Sequence, residues 1–137
     1  MISIQKEDFD HCVEYRKLQE AADGDSFIVT CTKLVKDYCE QGLVSNIYLE
    51  HYPGMTDKQL LQICTDARNR WSLGHISLIH RVGELAATEQ VLFLGITSKE
   101  QSTAFEAAEF ILDALKNSIA IWAKQTTPKG SRWLTSS

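Results

Sequence analysis

Val91-Leu-Phe-Leu-Gly-Ile-Thr97 is the stretch that decides the fold. Apolar side chains occupy consecutive positions there, whereas a strand with one wet face would alternate apolar and polar residues. A strand of this kind is covered on both faces, so the stretch predicts the centre of a sheet with packed layers on either side. Ile76 to Val82 reads as a neighbouring strand, and Gly83-Glu84 is expected to open the turn between the two. On the other side, Ser102 to about Lys124 carries Phe105, Ala108, Leu112, Leu115, Ile119 and Trp122, each three or four residues from the next. That spacing predicts one long core-facing helix.

Further toward the start, Phe27 to Val35 and Ser45 to Tyr52 read as strands, joined by a polar loop from Asp37 to Gly42. Pro53-Gly54 ends the second strand, and Thr56-x-x-Gln59 has the form of a capping box at a helix start. Leu60, Cys64, Ala67 and Trp71 give that helix its apolar stripe, and Gly74 lies beyond its end. Lys6 to Ala22 favours a first helix, with Phe9, Val13 and Leu18 on one side. The tail from Thr126 to Leu134 is turn-rich and then aromatic, and is expected to dock on the body.

The 137 residues fit one domain spanning 1–137, and 44% hydrophobic with 23% charged residues is an ordinary globular balance. A net charge of −4 offers no broad positive field for a phosphate backbone, so nucleic acid is not an expected partner. No apolar run reaches the roughly 18 residues of a membrane span, and the start lacks a basic region followed by an apolar stretch. Membrane contact is not expected, and the expected compartment is the cytoplasm. Cys12, Cys31, Cys39 and Cys64 fit neither a C-x-x-C pair nor a zinc knuckle, and the four histidines lack metal-site spacing. Free buried thiols are expected, with neither metal nor cofactor.

Five blocks stand in order along the chain: Leu-Glu-His-Tyr-Pro-Gly-Met (49–55), Ala-Arg-Asn-Arg-Trp (67–71), Ile-His-Arg-Val-Gly-Glu-Leu (79–85), Ala-Phe-Glu-Ala (104–107) and Gly-Ser-Arg-Trp (130–133). In sequence and spacing they resemble the large, catalytic subunit of molybdopterin synthase, and the resemblance runs from about Phe27 to Trp133. It implies an α+β fold, an α/β hammerhead with an additional antiparallel sheet. It implies a part in molybdenum cofactor biosynthesis: cyclic pyranopterin monophosphate receives two sulfurs and becomes the molybdopterin dithiolene. The sulfur donor would be a C-terminal thiocarboxylate on a small ubiquitin-like subunit, and the large subunits would form a homodimer at the centre of a heterotetramer.

Both reactants are anions, so the chemistry requires cations that offset their repulsion. On a helix of about 100° per residue, Lys116 falls about 20° from Phe105 and about 40° from Leu112, at the border of the apolar face. Spacing alone fits a lysine whose stem packs while its ammonium stays in water. The resemblance implies a catalytic lysine at Lys116. It also implies a second family lysine at the position of Ala123, which leaves Lys124 as a candidate replacement on a continued helix. A family arginine falls at Lys36, a family glycine at Lys33, a pocket phenylalanine at Cys31, and a family His-Arg pair, which reaches across the dimer toward the pocket, at Glu100-Gln101. The substrate-binding candidates are therefore Lys36, Lys124 and Gln101. Lys33 and Lys36 also fit solvated loop charges, and alternation places His80 with Ile76, Leu78 and Val82, as a core histidine would be. These departures admit a second reading, a noncatalytic relative that keeps the fold and the dimer.

Overall fold

Residues 1–134 are described by a computed structural model. In chain order, the elements are β1 (Ile2–Gln5), α1 (His11–Ala21), β2 (Phe27–Leu34), the short β3 (Tyr38–Cys39) and β4 (Gly42–Leu43), β5 (Asn46–His51) and α2 (Met55–Arg70). Then follow β6 (Ile76–Arg81), β7 (Gly83–Ala86), β8 (Gln90–Ser98), α3 (Gln101–Asn117), β9 (Ile121–Thr127) and β10 (Gly130–Leu134). The fold is a mixed α+β one.

Strand β8 lies inside a four-stranded sheet ordered β1-β6-β8-β2, in which only β1 with β6 runs parallel. Its continuous apolar run is explained by cover on both faces. Leu92, Leu94 and Ile96 join the large core shared with α2 and α3, while Phe93 packs with Leu18 of α1 on the other face. Gly95 sits under α1 so closely that a Cβ there would stand 2.2 Å from Leu18 Cδ1. The additional antiparallel sheet is ordered β10-β9-β5-β7. The chain crosses from one sheet to the other at Val82-Gly83, and Gly83 takes the positive φ of 89° that the crossing requires.

Several expectations are corrected. Gly83-Glu84 does not form a turn: residues 83–86 continue as β7, and the reversal falls at Ala87-Thr88-Glu89, closed by Glu89 N–H on the Ala86 carbonyl. The first helix begins at His11, not Lys6, because Asp10 caps it by accepting from Cys12 N–H at 2.8 Å; residues 2–5, which drew no assignment, form β1. Inside the expected loop 37–42 the chain makes the β3–β4 hairpin.

Helix α2 starts two residues earlier than expected, capped at Gly54 instead of Thr56, with the Asp57 carboxylate accepting from Gly54 N–H at 2.9 Å. Thr56 and Gln59 are thereby freed for a tertiary task. Thr56 Oγ1 donates to the Ala120 carbonyl at 2.8 Å, and Gln59 Oε1 accepts from Ala120 N–H at 2.6 Å.

That clamp helps to explain the largest correction. The helix expected to reach Lys124 stops at Asn117; Ile119 lies in the connection, and Trp122 and Lys124 lie on β9. Their helical spacing was fortuitous, since α2 holds Ala120, between α3 and β9, by both its N–H and its carbonyl. Phe105 is 58% exposed, and the buried stripe of α3 is Ala104, Ala107, Ala108, Ile111 and Leu115, whose small residues let the helix lie against β8.

Candidate functional site

Alternation on β2 puts Val29, Cys31 and Lys33 on the face that carries the large core, since they pair with Ile96, Leu94 and Leu92 of β8. Alternation on β9 likewise turns Ile121, Ala123 and Gln125 inward, beside Leu49 and Ile47 of β5. Between these surfaces, the C-terminal end of α3 and the β3–β4 hairpin enclose a cleft of about 840 Å³. The strand register shifts between Lys33 and Leu34, a bulge at the cleft margin.

The charge of this cleft opposes that of the molecule. Lys33, Lys36, Lys116 and Arg132 line it, against a single carboxylate, Glu40, in a chain of net charge −4. Burial, with Lys36 and then Lys116 as further causes, holds the Lys33 ammonium below the usual lysine range. The ion pairs among the described residues lie elsewhere, between Lys17 and Glu14 and between Arg81 and Asp8 or Glu89.

His80 shares a row of the sheet with Leu92 and Lys33 and is buried. Desolvation pushes its pKa down to about 4, so the ring is neutral near pH 7. Nδ1 lies 2.8 Å from the Arg81 carbonyl, which only accepts, and therefore carries the proton. Across the cleft, Gln125 Oε1 is buried and has no hydrogen-bond partner among the described residues. A buried unpaired amide oxygen costs roughly 1–3 kcal/mol, which a ligand donor would recover.

The site residues expected from sequence are not all gathered here. Lys36 and Lys116 line the cleft, and Lys116 stands next to Leu115 at the end of α3. Lys124 does not line it. On β9 its neighbours are Trp133 and Tyr48, on the outward face, and its Nζ lies 5.9 Å from the Trp133 ring centre. The turn of helix invoked for it is absent; alternation on a strand sends Lys124 opposite to Ala123. Gln101 opens α3 and is exposed, about 22 Å from Lys116 at 1.5 Å per residue of helix. Gln101 therefore does not share the cleft of its own chain.

Sequence reading undervalued three groups. Lys33 was open to reading as a loop charge, although alternation from Val29 would have turned it inward. Arg132 was expected only within a docking tail. Gln125 carried no signal while β9 was read as helix.

The sequence profile of the family described as MoaE protein matches residues 4–118. The molybdopterin synthase catalytic subunit of Escherichia coli (strain K12) is 46% identical over 121 residues, 88% of this chain and 80% of that one. The structure of the molybdopterin biosynthesis MoaE protein from Burkholderia ambifaria MC40-6 superposes with a TM-score of 0.84 at 35% identity, covering 98% of this chain and 88% of the other. The fold is also that of a chain in the complex of subunits 1 and 2 of molybdopterin-converting factor from Helicobacter pylori 26695, with a TM-score of 0.80 at 12% identity, covering 98% and 90% of the two chains. With the profile spanning most of the chain and a relative of this identity, the protein belongs to the MoaE family.

Proposed function

We propose that the chain is the catalytic subunit of a molybdopterin synthase, transferring sulfur from the C-terminal thiocarboxylate of a small ubiquitin-like subunit to cyclic pyranopterin monophosphate. The carrying observation is the cationic cleft in an otherwise acidic molecule. Two anionic reactants must approach one another, and lysines on β2 and α3 lower the repulsion between them. Lys116 is the catalytic residue of this reading, at the exposed end of α3 where Leu112 and Leu115 line the same cleft. Lys36 holds the anionic part of the substrate. The neutral wall of Leu49, Ala123 and Gln125 suits an uncharged ring edged with hydrogen-bonding groups.

In this reading the working unit is a homodimer flanked by two small subunits, in the cytoplasm. Large exposed apolar side chains, among them Leu61, Phe105 and Trp122, support association. Gln101 serves only a cleft of the partner chain. A second reading, a noncatalytic relative, is favoured by one observation: Lys124 faces outward and the wall at Ala123 has no lysine. Mixing the chain with thiocarboxylated small subunit and cyclic pyranopterin monophosphate separates the two readings. Synthase forms molybdopterin; a stable complex that forms none identifies the noncatalytic relative.

A further inference from the structure

The cleft wall holds a third lysine beside Lys36 and Lys116. Lys33 is half-buried, sits on the core-facing side of β2, and is followed at once by the bulge. Lys36 and Lys116 are close enough to repel it, and no ion pair among the described residues engages any of the three. A lysine that merely covered apolar surface would turn its ammonium to open water, away from like charges. Here three lysines, from β2, the segment after it and α3, line one cavity, an arrangement that an anion bound between them would stabilise.

We propose that Lys33 is a substrate-binding residue, the inner member of a three-lysine clamp with Lys36 and Lys116 that grips the anionic group of a ligand. The inference rests on the sulfur-transfer reading for the identity of that ligand. The three lysines stand on the β2 and α3 side, with Ala123 and Gln125 on the facing β9 and Arg132 of β10 paired beside Gln125. The anionic group of a ligand therefore lies among the three lysines, with the Gln125 amide and Arg132 facing its other end. Two reactants carry such an anion, the phosphate of the precursor and the thiocarboxylate tail of the small subunit.

The test uses the full chain with Lys33→Met, which keeps an apolar stem and removes the charge, and Lys33→Arg, which restores charge. Turnover with thiocarboxylated small subunit is followed against precursor concentration, and small-subunit affinity is measured separately by titration. If the clamp holds phosphate, Lys33→Met raises the precursor KM by about 10–100-fold, the size of a lost charge-assisted hydrogen bond, with a smaller effect on kcat. If it holds the tail, the same loss falls on small-subunit affinity instead. Lys33→Arg recovers most of either loss. Lys33→Met with Ala123→Lys recovers part of a phosphate loss by supplying charge from the opposite wall. A Lys33→Met protein within twofold of wild type in both arms overturns the proposal. Should the wild type show no turnover, the sulfur-transfer reading fails on its own, and inorganic pyrophosphate titration decides the clamp: equal binding by wild type and Lys33→Met overturns it, and weaker binding by the variant sustains it.

Discussion

Two residues in the cleft region show how burial divides the work between charge and neutrality. Lys116 keeps its ammonium at the cleft edge, exposed at the end of α3, while its neighbour Leu115 is buried in the core. Lys116→Ala should therefore leave the unfolding midpoint within about 1 kcal/mol of wild type, as surface changes usually do. It should also cut molybdopterin formation by at least about 100-fold, the scale of removing one preorganised electrostatic group. Assays of both on one preparation check this, and undiminished turnover would remove Lys116 from the mechanism. His80 behaves in the opposite way, because its folded pKa of about 4 lies below the ordinary 6.5. Between those values the unfolded chain takes up a proton that the folded one refuses, so stability is full above about pH 6.5 and declines as pH falls toward 4. The decline attributable to His80 should approach about 3 kcal/mol. Urea denaturation of wild type and His80→Gln across pH 4–7 measures it as the difference in slope, and parallel curves would contradict it.

At the scale of elements, what was legible depended on whether a segment's own pattern or a distant contact set its conformation. The apolar run of β8, the β2 and β5 strands and the stripe of α2 were readable because local periodicity and burial agree there. The end of α3 was not. Ile119 and Trp122 keep helical spacing from Leu112 and Leu115, but Thr56 and Gln59, about sixty residues earlier, hold Ala120 in the connection between α3 and β9. This one misreading displaced Lys124 and hid Gln125, whereas Lys116 lies on the helix where it was expected and lines the cleft. Thr56 is fully buried, so Thr56→Val removes the donor to the Ala120 carbonyl without changing side-chain volume much. It should cost about 1–3 kcal/mol, because the carbonyl is left unsatisfied. It should also speed amide exchange along the start of β9 more than in β8. Denaturation and hydrogen exchange on the variant check both effects, and an unaltered β9 would show that the clamp does not set the helix end.

Over the whole molecule, the two four-stranded sheets, the end of α3 and the β3–β4 hairpin enclose a cleft whose cations stand against a negative net charge, and that contrast was not legible in composition. Four of the groups concerned come from separate places in the chain, β2, the segment after it, α3 and β10, and only the fold sums their charges. The resemblance of five blocks identified the family, while the topology shows which altered positions share the cleft: 31, 33, 36 and 123 do, and 100 and 101 do not. Large exposed apolar side chains and the proposed reading lead to a homodimer, which light scattering at micromolar concentration should report as twice the chain mass; a monomer mass would refute it. The central claim, that this cleft transfers sulfur, is tested most directly by counting thiocarboxylates. The intact assembly is mixed with excess precursor, and small-subunit mass and molybdopterin are followed together. Because the dithiolene contains two added sulfurs and each small subunit carries one, two thiocarboxylates should disappear for every molybdopterin formed, and Lys116→Ala should stop both changes. Thiocarboxylate that survives intact in a fully assembled complex, with no molybdopterin appearing, would contradict the account.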